Sequence, residues 1–187
     1  MRRRAVLLSL AALLPFAWPA GAQVRRWMVD PARSSITMRI RAAGLTQTGR
    51  FEDWSGDIRF DPAAPETART TIEVRAASLR MSEPALTARA TGPAFLDAAR
   101  WPTIRFRLTG LERAGREGFT ARAEVTVKGR TREVLFPADL RVTGDAAQMS
   151  GGFVLDRAAF DIGMQGPWNA LMGRQVRVEV ALTARAA

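Results

Sequence analysis

The chain has 187 residues, a formal net charge of +10, and no histidine, cysteine or tyrosine. At that length a single domain is the expectation. The missing residue types exclude Ser-His-Asp and Cys-His catalysis, histidine- or thiolate-ligated metals, iron–sulfur clusters and disulfides, which leaves carboxylates, Ser, Arg or the lone Lys128 for any chemistry; no catalytic residue and no metal site is expected.

The first segment reads as a signal peptide over residues 1–22. Arg2, Arg3 and Arg4 form a positive start, Ala5 to Ala17 is apolar apart from Ser9 and Pro15, and Ala20-Gly21-Ala22 supplies a small-x-small cleavage pattern. The apolar stretch is too short and too interrupted to span a bilayer comfortably. Removing these 22 residues, three arginines among them, leaves 165 residues with a charge of +7 and starts the exported, periplasmic chain at Gln23. A chain of that size builds a full core without covalent staples. Residues 23–187 are expected to form one domain.

From there the sequence alternates apolar and polar residues in segment after segment, the period of half-buried strands. Ile36, Met38 and Ile40 share a face opposite Thr37, Arg39 and Arg41. Ile58 and Phe60, then Ile72 and Val74, then Ile104, Phe106 and Leu108 follow the same rule. Phe119, Ala121, Ala123, Val125 and Val127 form the longest run, before Val134, Phe136, Leu140 and Val142, then Phe153 and Leu155, and last Val176, Val178, Val180 and Leu182. That makes about eight strands. Between them, Asp61 to Pro65 is a proline-stiffened connection, Lys128-Gly129-Arg130-Thr131 a tight hairpin, and Ala114 to Gly118 and Thr143 to Gln148 longer loops. The clear break lies between Ser82 and Trp101, where Glu83 to Arg89 predicts a helical turn and Ala94 to Arg100, behind Pro93, a second short helix.

Many short antiparallel strands are best protected by closing the sheet, since closure removes exposed edges. The expected fold is all-β: a closed eight-stranded antiparallel lipocalin-like barrel with a short helical segment at about 83–100. A β-sandwich is the other soluble solution. An outer-membrane barrel is the sharper rival, because periodicity does not say which face points outward. Against it stand the absence of tyrosine and the arginines at strand centres. Those arginines (Arg39, Arg41, Arg59, Arg105, Arg107, Arg122 and Arg177) are spread singly, without interleaved aromatics, so no nucleic-acid partner is expected. A transient contact with an anionic membrane surface suits the charge better.

Several segments carry a resemblance. Asp30-Pro31-Ala32-Arg33-Ser34-Ser35 is followed by a strand and Gly44. Gly49-Arg50-Phe51 precedes Trp54-Ser55-Gly56, and Ser78-Leu79-Arg80-Met81 ends a strand. Phe95 to Phe106, the hairpin Ala123 to Val134 around Lys128-Gly129, and the close Phe153 to Gly163 with Asp156-Arg157 and Phe160 complete the series. In order and spacing these segments resemble the YceI-like family of exported, lipocalin-like barrels, over roughly Trp27 to Ala184. The chain departs from it at Arg33, at Ala42-Ala43-Gly44 and at Thr87 and Arg89, where family members carry His, His-Leu-Gly, and Asp with His. Histidine-dependent chemistry is therefore not carried over, whereas an apolar interior is.

The resemblance implies a soluble protein, monomer or homodimer, that carries or sequesters a long apolar lipid, such as a polyisoprenoid or an isoprenoid quinone. The lipid is held without covalent attachment and is the sole cofactor-like group. Candidate lining residues are Met38, Ile40, Phe51, Ile58, Phe60, Ile72, Phe106, Phe136 and Phe153, with Trp54, Trp101, Trp168, Leu171 and Met172 at the mouth or in a flap. Arg33 and Arg89 are candidate head-group contacts, because a guanidinium fork matches phosphate or quinone oxygens. The competing reading takes the same faces as a filled core, making the chain a ligand-free envelope interaction or stress protein. In it Met149 and Met164 fill gaps, and Asp156-Arg157 is a structural ion pair. An enzyme would have to draw on Glu52, Asp53 and Asp57, whose positions beside strand turns single out no acid–base couple.

Overall fold

Each long period-two stretch is a strand in the computed structural model, which describes residues 24–115 and 118–187. The segment read as a signal peptide lies outside the described residues. In chain order the strands are β1 (Arg25–Val29), β2 (Ser35–Ala42), β3 (Leu45–Phe51), β4 (Trp54–Asp61), β5 (Ala64–Arg75), β6 (Leu79–Met81), β7 (Thr103–Ala114), β8 (Gly118–Val127), β9 (Arg130–Thr143), β10 (Ala146–Asp156) and β11 (Met172–Ala186). Two short helices, α1 (Pro84–Thr91) and α2 (Trp168–Leu171), interrupt them.

All pairings are antiparallel. The order β1-β4-β5-β7-β8-β9-β10-β11 returns to β1 through Trp27 opposite Ala186, which closes an eight-stranded barrel. The length of β11 allows one edge to serve two partners. Its last residues pair with β1, while Met172 to Ala181 pair with β2, which leads on to β3 and β6. The wall is thus a closed ring at one end and is widened by three further strands toward the other. β1, β3 and β6 lie outside the eight runs read from the sequence.

The apolar faces point inward. Ile36, Ile40, Ile72, Val125, Val134, Phe136 and Phe153 are buried, and four of the facing arginines stand outside in cross-strand pairs with acids. Arg105 meets Glu73, Arg107 meets Glu124, Arg122 meets Glu133 and Arg39 meets Glu179. A charged outer wall faces water, because guanidinium groups at strand centres are strongly penalised by lipid. At Thr109 the register slips by one residue against β8, so Leu108 and Leu111 both point inward despite their odd spacing.

Local chemistry sets the turns. Lys128 (φ 49°) and Gly129 (φ 71°) both take the left-handed conformation, as a two-residue type I′ hairpin requires. The connection expected over Thr143–Gln148 is shorter than read, since Gly144-Asp145 alone joins β9 to β10. Pro62-Ala63 does the same between β4 and β5, with the Asp61 carboxylate accepting from the Ala63 N–H at 2.9 Å. The first expected helix is present as α1. The second, over 94–100, does not form. Asp97 sits at φ 49°, and the amides of Phe95 and Asp97 both bond the Gly92 carbonyl, so no i→i−4 ladder propagates.

The ring end is the more closely packed one. Trp27 stacks on Phe60 with ring centroids 4.6 Å apart, and its indole N–H donates to the Phe60 carbonyl at 3.3 Å. This pair plugs the barrel there and, among the described residues, leaves most of the interior space to the wider end.

Candidate ligand cavity and its mouth

Above that plug the barrel holds a cavity of about 210 Å³, lined almost entirely by apolar side chains. A cavity of about 150 Å³ takes one benzene ring, so by volume this one accommodates roughly eight carbon-sized groups. Phe106, Phe136 and Phe153 line it as a cluster, with centroids 5.2 to 6.2 Å apart. Gly151 of β10 makes space for Phe136, because a Cβ there would come within 2.9 Å of the ring. Val176, Val178 and Val180 supply the β11 wall, and Met38 and Ile40 the β2 wall. A second space of about 30 Å³, lined by Ile58, Phe60, Ala68, Leu111 and Leu182, lies toward the plugged end; Met149 borders both.

The mouth is built from α1, the segment around α2, and the β2–β3 tip. Leu86, Arg89 and Ala90 stand at i, i+3 and i+4 on α1 and all face the cavity. Thr87 ties the helix to β6 by accepting from the Met81 N–H at 3.0 Å. Across the opening, Trp168 of α2 lies under the Arg89 guanidinium, 4.0 Å from carbon to ring centroid. The Ala43 N–H donates to the Leu171 carbonyl at 2.8 Å, which joins the β2–β3 tip to α2 and sets Leu45 and Leu171, both exposed, on the same rim.

Arg157 holds the segment that carries α2. It is 1% exposed and lines the cavity, and its guanidinium donates to the carbonyls of Gly173, Ile162, Gly163, Asn169 and Met172 and to Asn169 Oδ1 at 2.9 to 3.0 Å. The expected Asp156–Arg157 pair is not made. Asp156 instead turns outward to Arg174, 2.7 Å away. The Arg174 hydrogen bond, then the Ala158 N–H, hold the Asp156 carboxyl below the ordinary aspartate range. Neighbouring residues at a strand end point to opposite faces, so an adjacent Asp and Arg do not meet.

With this geometry the comparisons with known proteins agree. A family profile described as the YceI-like domain matches residues 27–184. The chain belongs to the YceI-like family. A UPF0312 protein of Pseudomonas savastanoi pv. phaseolicola is 28% identical over 128 residues, covering 64% of each chain, so the match spans less than two thirds of that relative's length. BcnA of Burkholderia cenocepacia has a similar fold, with a TM-score of 0.78, 22% identity and coverage of 83% of this chain and 98% of that one. So has a polyisoprenoid binding domain from Saccharophagus degradans, with a TM-score of 0.71, 13% identity and coverage of 88% and 100%. At these identities the two structures speak to fold alone.

Of the residues singled out from the sequence, this YceI-like barrel brings Met38, Ile40, Phe51, Ile72, Phe106, Phe136, Phe153, Trp168, Met172 and Arg89 together around the cavity. Five lie elsewhere. Ile58 and Phe60 belong to the plugged end. Trp54 is half-buried against the core beside Val74. Trp101 covers Gly129, where its ring leaves no room for a Cβ. Arg33 follows Asp30 in a 3₁₀ turn tied to Thr183, on the plugged end, so it shares no site with Arg89. The acids considered for catalysis are paired, exposed Glu52 with Arg80, exposed Asp53 with Arg75 and half-buried Asp57 with Arg59. Sequence reasoning passed over Arg157 as a cavity residue, and also Leu86 and Ala90, whose helical spacing with Arg89 was visible.

Proposed function

We propose that this protein binds a long apolar lipid of the polyisoprenoid or isoprenoid quinone class non-covalently in its barrel, and carries or stores it in the periplasm after export through residues 1–22. It acts by binding rather than by catalysis. The observation that carries this reading is the apolar cavity of about 210 Å³ left open above a packed barrel end. The name of the Saccharophagus degradans relative, a polyisoprenoid binding domain, points the same way.

The physical case is one of matched burial. At about 0.8 kcal/mol per CH₂, roughly eight tail carbons exposed to water cost on the order of 6 kcal/mol, so a soluble carrier must enclose them. The open cavity is itself unfavourable. At roughly 24 cal/mol per Å³ it forgoes on the order of 5 kcal/mol of packing relative to a filled core, which a bound tail restores. The tail enters past Leu86 and Met172 and lies against the three phenyl rings, while longer chains and the polar head remain at the mouth near Arg89. Leu45 and Leu171 on that rim, with Arg41 nearby, are suited to touching a membrane surface during loading.

The test is native mass spectrometry of protein purified without detergent, followed by organic extraction. An adduct of several hundred daltons released as a prenyl lipid is the expected result. A clean unliganded mass, with no uptake of prenyl lipids added back, overturns the reading.

A further inference from the structure

The cavity that takes the tail is apolar, yet the charges on its lining are of one sign. Arg89 and Arg157 both border it, and no aspartate or glutamate does. Arg157 has its hydrogen bonds completed by neutral carbonyl oxygens and one amide oxygen, so its donors are satisfied while its charge meets no anion. The one acid next to it in sequence, Asp156, is committed to Arg174 outside the barrel.

Arg89 is different again. Of the wall arginines, Arg39, Arg59, Arg75, Arg80, Arg105, Arg107 and Arg122 each face a carboxylate, while Arg41 bonds the Gly44 carbonyl on its own turn. Among the described residues Arg89 faces none, and its only side-chain partner is the Trp168 ring. A guanidinium lying on an aromatic face keeps its N–H fork free at the edge. Here that fork stands at the rim where the head of a bound amphiphile must sit. Low-dielectric walls around a positive opening focus its field outward, and the second charge at Arg157 adds to it.

We infer that this site selects amphiphiles whose head is an anion, a carboxylate or a phosphate monoester, seated on Arg89 above the apolar cavity. The inference rests on the lipid-binding reading and adds the chemistry of the head. A neutral hydroxyl or quinone carbonyl would satisfy one donor but leave both charges uncompensated. An anion makes charge-assisted bonds roughly twice as strong, and a carboxylate or phosphate accepts two parallel N–H groups from one fork. Selection by the head also follows from where the ligand comes from. A tail moving from a bilayer into this cavity gains the same packing whatever head it carries, so the head decides which lipid stays.

The experiment uses two ligand pairs with matched tails: dodecanoic acid against dodecanol, and farnesyl monophosphate against farnesol. Dissociation constants are read from quenching of tryptophan fluorescence on the delipidated protein at low salt and neutral pH. At least one anion should bind about tenfold more tightly than its alcohol, a ratio expected of a charged hydrogen bond at a partly exposed rim. Which pair shows the larger ratio distinguishes a carboxylate head from a phosphate. In Arg89→Gln the ratio should fall toward one, and Arg89→Lys should restore part of it. Equal affinities for acid and alcohol in the parent protein overturn the inference while leaving the lipid-binding reading standing, as does a ratio unchanged in Arg89→Gln. Failure of all four ligands to bind removes both.

Discussion

Arg157 concentrates the local physics of this chain in one side chain. Its charge is almost fully removed from water, and six oxygen acceptors from the segment around α2 and the start of β11 converge on it. Replacing it by Met preserves most of the volume but leaves those buried acceptors without donors. The expected loss is about 3 kcal/mol or more, read as a shift of the denaturant midpoint. Limited proteolysis should then cut between Ile162 and Leu171, the stretch the guanidinium pins. An Asp-Arg dipeptide in the sequence suggests a pair, yet at the end of β10 alternation sends one residue outward and the other inward. The sequence shows which charges are neighbours along the chain. It does not show which face each occupies once a strand passes into a 3₁₀ turn.

At the scale of elements, the strands were legible wherever four or more residues alternate, because that pattern has a direct physical consequence in a half-buried sheet. β6 was not, since three residues acquire strand geometry only by pairing with β3. The expected helix over 94–100 failed for a related reason. Its composition permits a helix, but Phe95 is drawn under the wall against Gly163, and Asp97 turns the chain back. The β8–β9 turn illustrates how such irregular segments lock onto regular ones. Gly129 holds φ 71°, and its missing side chain is the space occupied by Trp101, whose ring atoms would lie 2.8 Å from a Cβ. Gly129→Ala therefore meets both backbone strain and a rigid aromatic, and should lower stability by about 1–3 kcal/mol in equilibrium unfolding. The same turn is tied by Lys128 to the Asp161 carbonyl at 2.7 Å, so the change should also loosen the 157–163 region in hydrogen exchange.

For the molecule as a whole, the question the sequence left open was whether the inward faces form a core or a container, and the barrel divides the answer along its axis. Ile58 and Phe60 fall on the filled side, with Trp27 as the plug, while Ile72, Phe106 and Phe153 fall on the open side, although all alternate alike in sequence. The difference lies in diameter, which β2, β3 and β6 add at one end, and no local pattern encodes it. That division predicts opposite responses to added volume. Val178 borders the cavity from the middle of β11 and is half-buried; a tryptophan there has space to enter. Val178→Trp should therefore melt within about 2 °C of the parent, since a filled void regains packing contacts, yet lose its lipid in native mass spectrometry. Ala123 of β8 is inward and fully buried, where a larger side chain finds no room. Ala123→Leu should cost about 1–3 kcal/mol while the cavity, and with it the lipid adduct, persists. If Val178→Trp instead destabilises the protein as Ala123→Leu does, the upper barrel behaves as packed core, and the container reading of the fold fails with it.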